Sequence, residues 1–191
     1  MSDWTVVVPV KGTSAAKSRL GGGPDLALAI ALDSVEAALG AARVIVVTST
    51  DVAAGFSTLG AEIIEDGGGG LLSAIQQGLD QAGSGPVAVM LGDVPALTSE
   101  ELRRALVLAE AHPLSFVPDA DNEGTVLVAA LRSGDHAPAF GAASRAAHLA
   151  AGYVEVQLPA ASGLRRDVDT LAQLQSIPRE RLGARTARAS A

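Results

Sequence analysis

A chain of 191 residues, 48% of them hydrophobic, can build one compact core with at most a subdomain, so two independent domains are not expected. Its formal net charge of -7 speaks against nucleic acid as a partner, which would need a basic stripe, and leaves a single nucleotide open. The absence of cysteine excludes disulfides, thiolate metal sites and cysteine nucleophiles, and with no run approaching a membrane span the expected compartment is the cytoplasm, with no membrane contact.

Short β-branched runs alternate with longer amphipathic stretches, the pattern of βα units around a mostly parallel sheet. Strands are expected near 4–10, 43–49, 61–65, 86–91, 115–118, 125–131 and 153–158. After the first loop Leu28, Leu32, Val35 and Leu39 recur at helical spacing, with Gly40 suited to the position just past the helix end. A second helix is expected to carry Leu72, Ile75 and Leu79 on one face. Thr98-Ser99-Glu100-Glu101 reads as a capping box that starts a third. Beyond residue 112 the alternation fails, because only an Asp/Asn/Gly loop joins 115–118 to 125–131; it is too short for a helical crossover, so an antiparallel element is expected. The chain thus reads as one α/β domain over 1–178, followed by a flexible tail over 179–191, rich in Arg, Ala and Ser.

Chemistry is expected where strands end in loops. The apolar run Thr5-Val6-Val7-Val8-Pro9-Val10 breaks into a loop carrying Lys11, Lys17 and Arg19, three cations in an acidic chain, where an open α/β sheet would hold an anion such as a nucleotide phosphate. A solvated surface loop is the plain alternative. The Lys17-Ser18 pair is not a P-loop, since Ala16 stands where that motif needs Gly and Gly21-Gly22-Gly23-Pro24 interrupts the helix that should follow. Next, Glu65-Asp66-Gly67-Gly68-Gly69-Gly70 leads into Leu71-Leu72-Ser73; it is either a linker or a turn that brings amides and a helix N-terminus to a ligand. The strand Val87-Ala88-Val89-Met90-Leu91 ends at Gly92-Asp93, and a second carboxylate source is Asp167-Val168-Asp169. In an extended segment Asp167 and Asp169 point to one side, so one could reach a metal while the other caps the following helix. A hard magnesium-type ion suits such donors better than zinc. His112, His136 and His148 lack ligand spacing and read as structural or surface residues.

Taken together the segments resemble the 2-phospho-L-lactate/phosphoenolpyruvate guanylyltransferases of deazaflavin coenzyme F(420) biosynthesis. The likeness runs through Val8-Pro9-Val10-Lys11 with Ala16-Lys17-Ser18-Arg19-Leu20, Gly70-Leu71 with Ala74-Ile75, and Gly92-Asp93-Val94-Pro95-Ala96-Leu97. It continues through Val117-Pro118-Asp119 with Gly124-Thr125, Phe140-Gly141 with Ser144 and His148, and Leu164-Arg165 with Asp167-Val168-Asp169-Thr170. Leu72 and Val126 stand where the resemblance leads one to expect Asn.

The resemblance implies a molybdopterin-guanylyltransferase-like nucleotidyltransferase fold: three layers, with a mixed, mostly parallel sheet flanked by helices. It implies transfer of GMP from GTP to a small phosphorylated three-carbon acid, phosphoenolpyruvate or 2-phospho-L-lactate, with release of pyrophosphate. Mg2+ would lie on Asp93 with Asp167 or Asp169, Asp167 being favoured. Lys11, Lys17 and Arg19 would serve the triphosphate and the chemistry together with Asp93, while Gly70 and Ser73 bind nucleotide. Thr125, Gly141 and Ser144 would hold the acceptor, and a homodimer is common in similar enzymes. The competing readings are a molybdopterin or sugar-phosphate nucleotidyltransferase and, from another class, a non-catalytic nucleotide-binding regulator.

Overall fold

A computed structural model describes residues 3–11 and 23–191. Seven strands form one sheet: β1 (Thr5–Pro9), β2 (Arg43–Thr48), β3 (Glu62–Glu65), β4 (Val87–Met90), β5 (Leu114–Pro118), β6 (Thr125–Ala130) and β7 (Val154–Glu155). All seven fall on the expected runs, and their order across the sheet is β3-β2-β1-β4-β6-β5-β7. β1 pairs in parallel with both β2 and β4, whereas β6 runs antiparallel to β4 and β5. The short loop after β5 accounts for that reversal, since a direct connection of this length can only return the chain antiparallel.

The central strands β1, β2, β4 and β6 are buried on both faces, and alternate side chains feed two cores. Val6, Val8, Val44, Val46, Ala88 and Met90 meet the helices α1 (Gly23–Leu39), α2 (Thr50–Leu59) and α4 (Ser99–Ala109). Val7, Ile45, Val47, Val87 and Val89 meet α3 (Leu71–Ala82) on the opposite face. The result is the expected three layers.

Two local expectations change. Gly40 stands just past the end of α1 as expected, but without a left-handed turn; it faces Ser99 at the start of α4, and a side chain at position 40 would collide with that serine. Leu72 leaves the buried face of α3, which is instead made of Ala74, Ile75, Gly78 and Leu79, and is 53% exposed. It sits in the first turn at the margin of that face, whereas Leu71 turns inward and packs on the core. The capping box of α4 forms as expected, with Thr98 accepting from the Glu101 amide and the Glu101 carboxylate accepting from the Thr98 amide.

The segment 179–191, expected as a flexible tail, instead carries α7 (Ala184–Ala189) against α1. The helix has no side-chain cap of its own. Asp33 from the middle of α1 supplies one, accepting from the amides of Arg185 at 3.2 Å and Thr186 at 2.7 Å. The Arg185 guanidinium closes on the same carboxylate and on Glu36. A tail rich in Arg, Ala and Ser is ordered because a buried carboxylate elsewhere in the chain needs its amides.

Candidate active site

The chain leaves β1 for β2 on one side and returns through α3 to β4 on the other, so the carboxyl ends of β1 and β4 flank the point where strand order reverses. Ligands of open α/β sheets bind there. Lys11 stands exposed just beyond β1, and Val10 is held by its amide to the Val47 carbonyl at 2.9 Å. Lys17 and Arg19 lie outside the described residues. Gly92 follows β4, and a side chain on it would press against Val8 and Val10. Glycine at 92 therefore lets the Asp93 loop lie close against the end of β1.

Asp93 and Asp167 are brought together by backbone. The Val168 amide donates to the Asp93 carbonyl at 2.9 Å, which lays the 167–169 segment along the loop after β4. From the other side Ser34 of α1 steadies that loop: its hydroxyl donates to the Ile30 carbonyl at 2.9 Å and accepts from the Val94 amide at 3.3 Å. Burial, followed by the charges of Asp93, Asp119 and Asp169, pushes the Asp167 carboxyl up to about 7. Four carboxylates thus share one electrostatic neighbourhood at the mouth of the sheet, with Asp167 partly buried and Asp169 exposed.

Asp169 does not cap the following helix, α6 (Leu171–Gln175). That role falls to Thr170, in a second capping box with Gln173. Among the described residues no three carboxylates or imidazoles converge on one ion position. A divalent ion here would take Asp93 and Asp167 and complete its shell with substrate oxygens and water, as hard ions of the magnesium type do. The raised pKa of Asp167 fits such an ion, because a cation relieves the crowding that holds the proton on.

The glycine run forms a turn ahead of α3. Gly68, Gly69 and Gly70 all adopt positive φ, at +84°, +92° and +88°, a path closed to most side chains. The turn is braced by residues that sequence reading passed over. Gln77, one turn into α3 beyond Ser73, accepts from the Gly67 amide at 3.1 Å and donates to the Ser73 hydroxyl at 3.3 Å, and Asp66 accepts from the Gly68 amide at 2.9 Å. Periodicity alone makes Gln77 an ordinary polar residue of a helix surface. Leu72 lies exposed beside this turn, whereas Val126 is wholly buried in the sheet core.

Thr125, Gly141 and Ser144 gather at the edge where β6 meets α5 (Ser144–Ala150). Thr125 opens β6 and is buried, and Ser144 opens α5 and is buried beside Gly124. Gly141 is exposed on the approach to that helix, its carbonyl accepting from the Ser144 amide at 3.2 Å. The loop below them is organised by Asp119, whose carboxylate accepts from the amides of Glu123 at 3.0 Å and Gly124 at 2.7 Å. Arg165, buried, donates to the carbonyls of Pro118 and Asp119 and to Asn122 Oδ1, binding this loop to the Asp167 segment. Both residues lay within recognisable motifs without an assigned task; spacing could not show that they join two distant loops.

His136 is structural, one of the two roles, structural or surface, that the lack of ligand spacing led one to expect. His136 donates from Nε2 to the Val87 carbonyl at 3.2 Å and accepts the Tyr153 hydroxyl proton on Nδ1 at 3.0 Å. Burial pulls its pKa down to about 4, so it stays neutral while bracing the strap that leads to Gly141.

Comparison with known proteins agrees with this architecture. The MobA-like NTP transferase domain matches residues 16–169. The chain is 43% identical to a phosphoenolpyruvate guanylyltransferase of Streptomyces coelicolor, over 98% of this chain and 96% of that one. It is 45% identical to a phosphoenolpyruvate guanylyltransferase of Salinispora arenicola, over 96% of this chain and 92% of the relative. Among solved structures, a candidate nucleotide-diphospho-sugar transferase from Desulfovibrio desulfuricans G20 superposes with a TM-score of 0.72 at 20% identity, covering 98% of this chain and 94% of that one, a likeness of fold. With carboxylates assembled at the strand-order switch point and near-full-length relatives of one kind, the chain belongs to the MobA-like NTP transferases, within their phosphoenolpyruvate guanylyltransferase group.

Proposed function

We propose that the protein transfers GMP from GTP to phosphoenolpyruvate, releasing pyrophosphate, as a step in making the deazaflavin coenzyme F(420). The observation that carries this reading is the convergence of Asp93 and Asp167 at the mouth of the sheet, in a chain whose near-full-length relatives bear that name.

The acceptor is a phosphate monoester with a second pKa of about 6, so it is mostly dianionic at neutral pH and can attack without a protein base. A phosphate oxygen forms the new bond to the α-phosphorus of GTP while the bond from that phosphorus to the bridging oxygen breaks, and pyrophosphate leaves with the electron pair. The neutrality of His136 and His148 is then no obstacle. What the chain must supply is alignment of two anions and relief of their repulsion.

Lys11, Lys17 and Arg19 neutralise the charge of the triphosphate. The amides at the start of α3, from Gly70 to Ser73, bind the same anion. Thr125, Ser144 and the Gly141 backbone hold the acceptor's phosphate and carboxylate. A magnesium ion held by Asp93 and Asp167 would supply charge neutralisation between the reacting phosphates.

Pyrophosphate release with Mg2+, GTP and each acceptor in turn tests the reading. Release is expected with phosphoenolpyruvate; silence with phosphoenolpyruvate and 2-phospho-L-lactate alike would overturn it, and release with ATP or CTP in place of GTP would overturn the choice of base. Asp93→Asn should still bind GTP while turnover falls by about two orders of magnitude or more; full activity would remove Asp93 from the site.

A further inference from the structure

His148 occupies a position that sequence spacing leaves without a task. It lies on α5, wholly buried, among the rings of Phe116, Phe140 and Tyr153, whose centroids stand 5.9, 5.6 and 5.2 Å from its own. Its Nε2 accepts from the Ala139 amide at 2.9 Å, and its Nδ1 lies 3.0 Å from the Thr125 hydroxyl.

These two contacts determine the tautomer. A backbone amide can only donate, so Nε2 must carry a lone pair. Burial lowers the pKa and keeps the ring neutral, which leaves its single hydrogen on Nδ1. Nδ1 therefore donates, the Ser144 backbone carbonyl also drawing on its hydrogen, and the Thr125 oxygen accepts at 3.0 Å. A hydroxyl that accepts in this way keeps its own hydrogen available for another partner. In the opposite tautomer, Nδ1 would accept the Thr125 hydrogen and withdraw it from any ligand.

We propose that His148 is a positioning residue that, through a tautomer set by the Ala139 amide, commits the Thr125 hydroxyl to donate to the anionic end of the acceptor. The inference rests on the reading of Thr125 as an acceptor-binding residue. It gives that reading a direction: the ring selects for an acceptor oxygen that takes a hydrogen bond, such as phosphate or carboxylate, over a group that offers one.

Steady-state kinetics and the imidazole nitrogens test it together. Nitrogen-15 NMR of the wild-type protein should show the hydrogen on Nδ1 of His148; finding it on Nε2 overturns the proposal without recourse to any variant. Thr125→Val and His148→Phe, which keeps the aromatic packing, should each raise KM for phosphoenolpyruvate about tenfold with KM for GTP unmoved. The double variant should be no worse than either single one, and His148→Asn, whose amide offers a donor near the place of Nδ1, should recover most of the loss. An unchanged acceptor KM in a folded His148→Phe protein, or effects that multiply in the double variant, overturns the positioning role while leaving the guanylyltransferase reading intact. An unchanged KM in Thr125→Val removes Thr125 from the acceptor site and the inference with it, and a wild type inert with every acceptor overturns the underlying reading instead.

Discussion

Asp167 carries the sharpest electrostatic cost in the described site. Its folded pKa of about 7 lies above the usual carboxylate value, so the folded state holds a proton that the unfolded chain releases near pH 4. The contribution to stability is therefore full below about pH 4 and is lost as pH rises toward 7. In metal-free protein, Asp167→Asn should raise the melting temperature at pH 8 and leave it nearly unchanged at pH 4. The difference should be on the order of 2–4 kcal/mol, measured by denaturant titration at both values. No gain at pH 8 would show that the crowding of carboxylates is relieved in some other way. The same residue illustrates the limit of sequence: resemblance favoured Asp167 over Asp169 as the ligand, but only tertiary contact makes Asp167 the partly buried one and Asp169 the exposed one.

At the level of elements, the glycine turn and α3 act as one unit. Glycine supplies the left-handed path, but Gln77 holds the turn by bonding to the Gly67 amide and to Ser73. Gln77→Ala should therefore raise KM for GTP several-fold while melting temperature moves little, since one exposed bond of this kind is worth about 1 kcal/mol. An unchanged KM would reduce Gln77 to a surface residue. The strand-to-loop pattern around Asp93 was plain in the chain because a buried strand ending in a lone carboxylate has few other uses. Gln77, Ser34 and Arg165 were not plain, because each acts on a backbone group brought near it by the fold, and neither periodicity nor spacing records such pairs.

For the whole molecule, the C-terminal segment belongs to the folded body. Removing residues 183–191 takes away the amides that satisfy Asp33 and the packing of α7 on α1. Such a truncation should cost on the order of 1–3 kcal/mol, read as a lower melting temperature; a chain of undiminished stability would restore the picture of a free tail. Sequence by itself determined the seven strands, the antiparallel return after residue 112, the helix cap at Thr98 as a local polar pattern, and the loops where chemistry gathers. These are short-range matters, set by side-chain periodicity and by hydrogen bonds between residues three or four apart. Tertiary structure alone decided which aspartate faces Asp93, how Asp33 orders the chain's last helix, and which ring nitrogen of His148 holds its hydrogen. Each depends on a backbone amide or carbonyl from a distant segment, and burial makes such a polar contact obligatory without leaving a mark in local sequence.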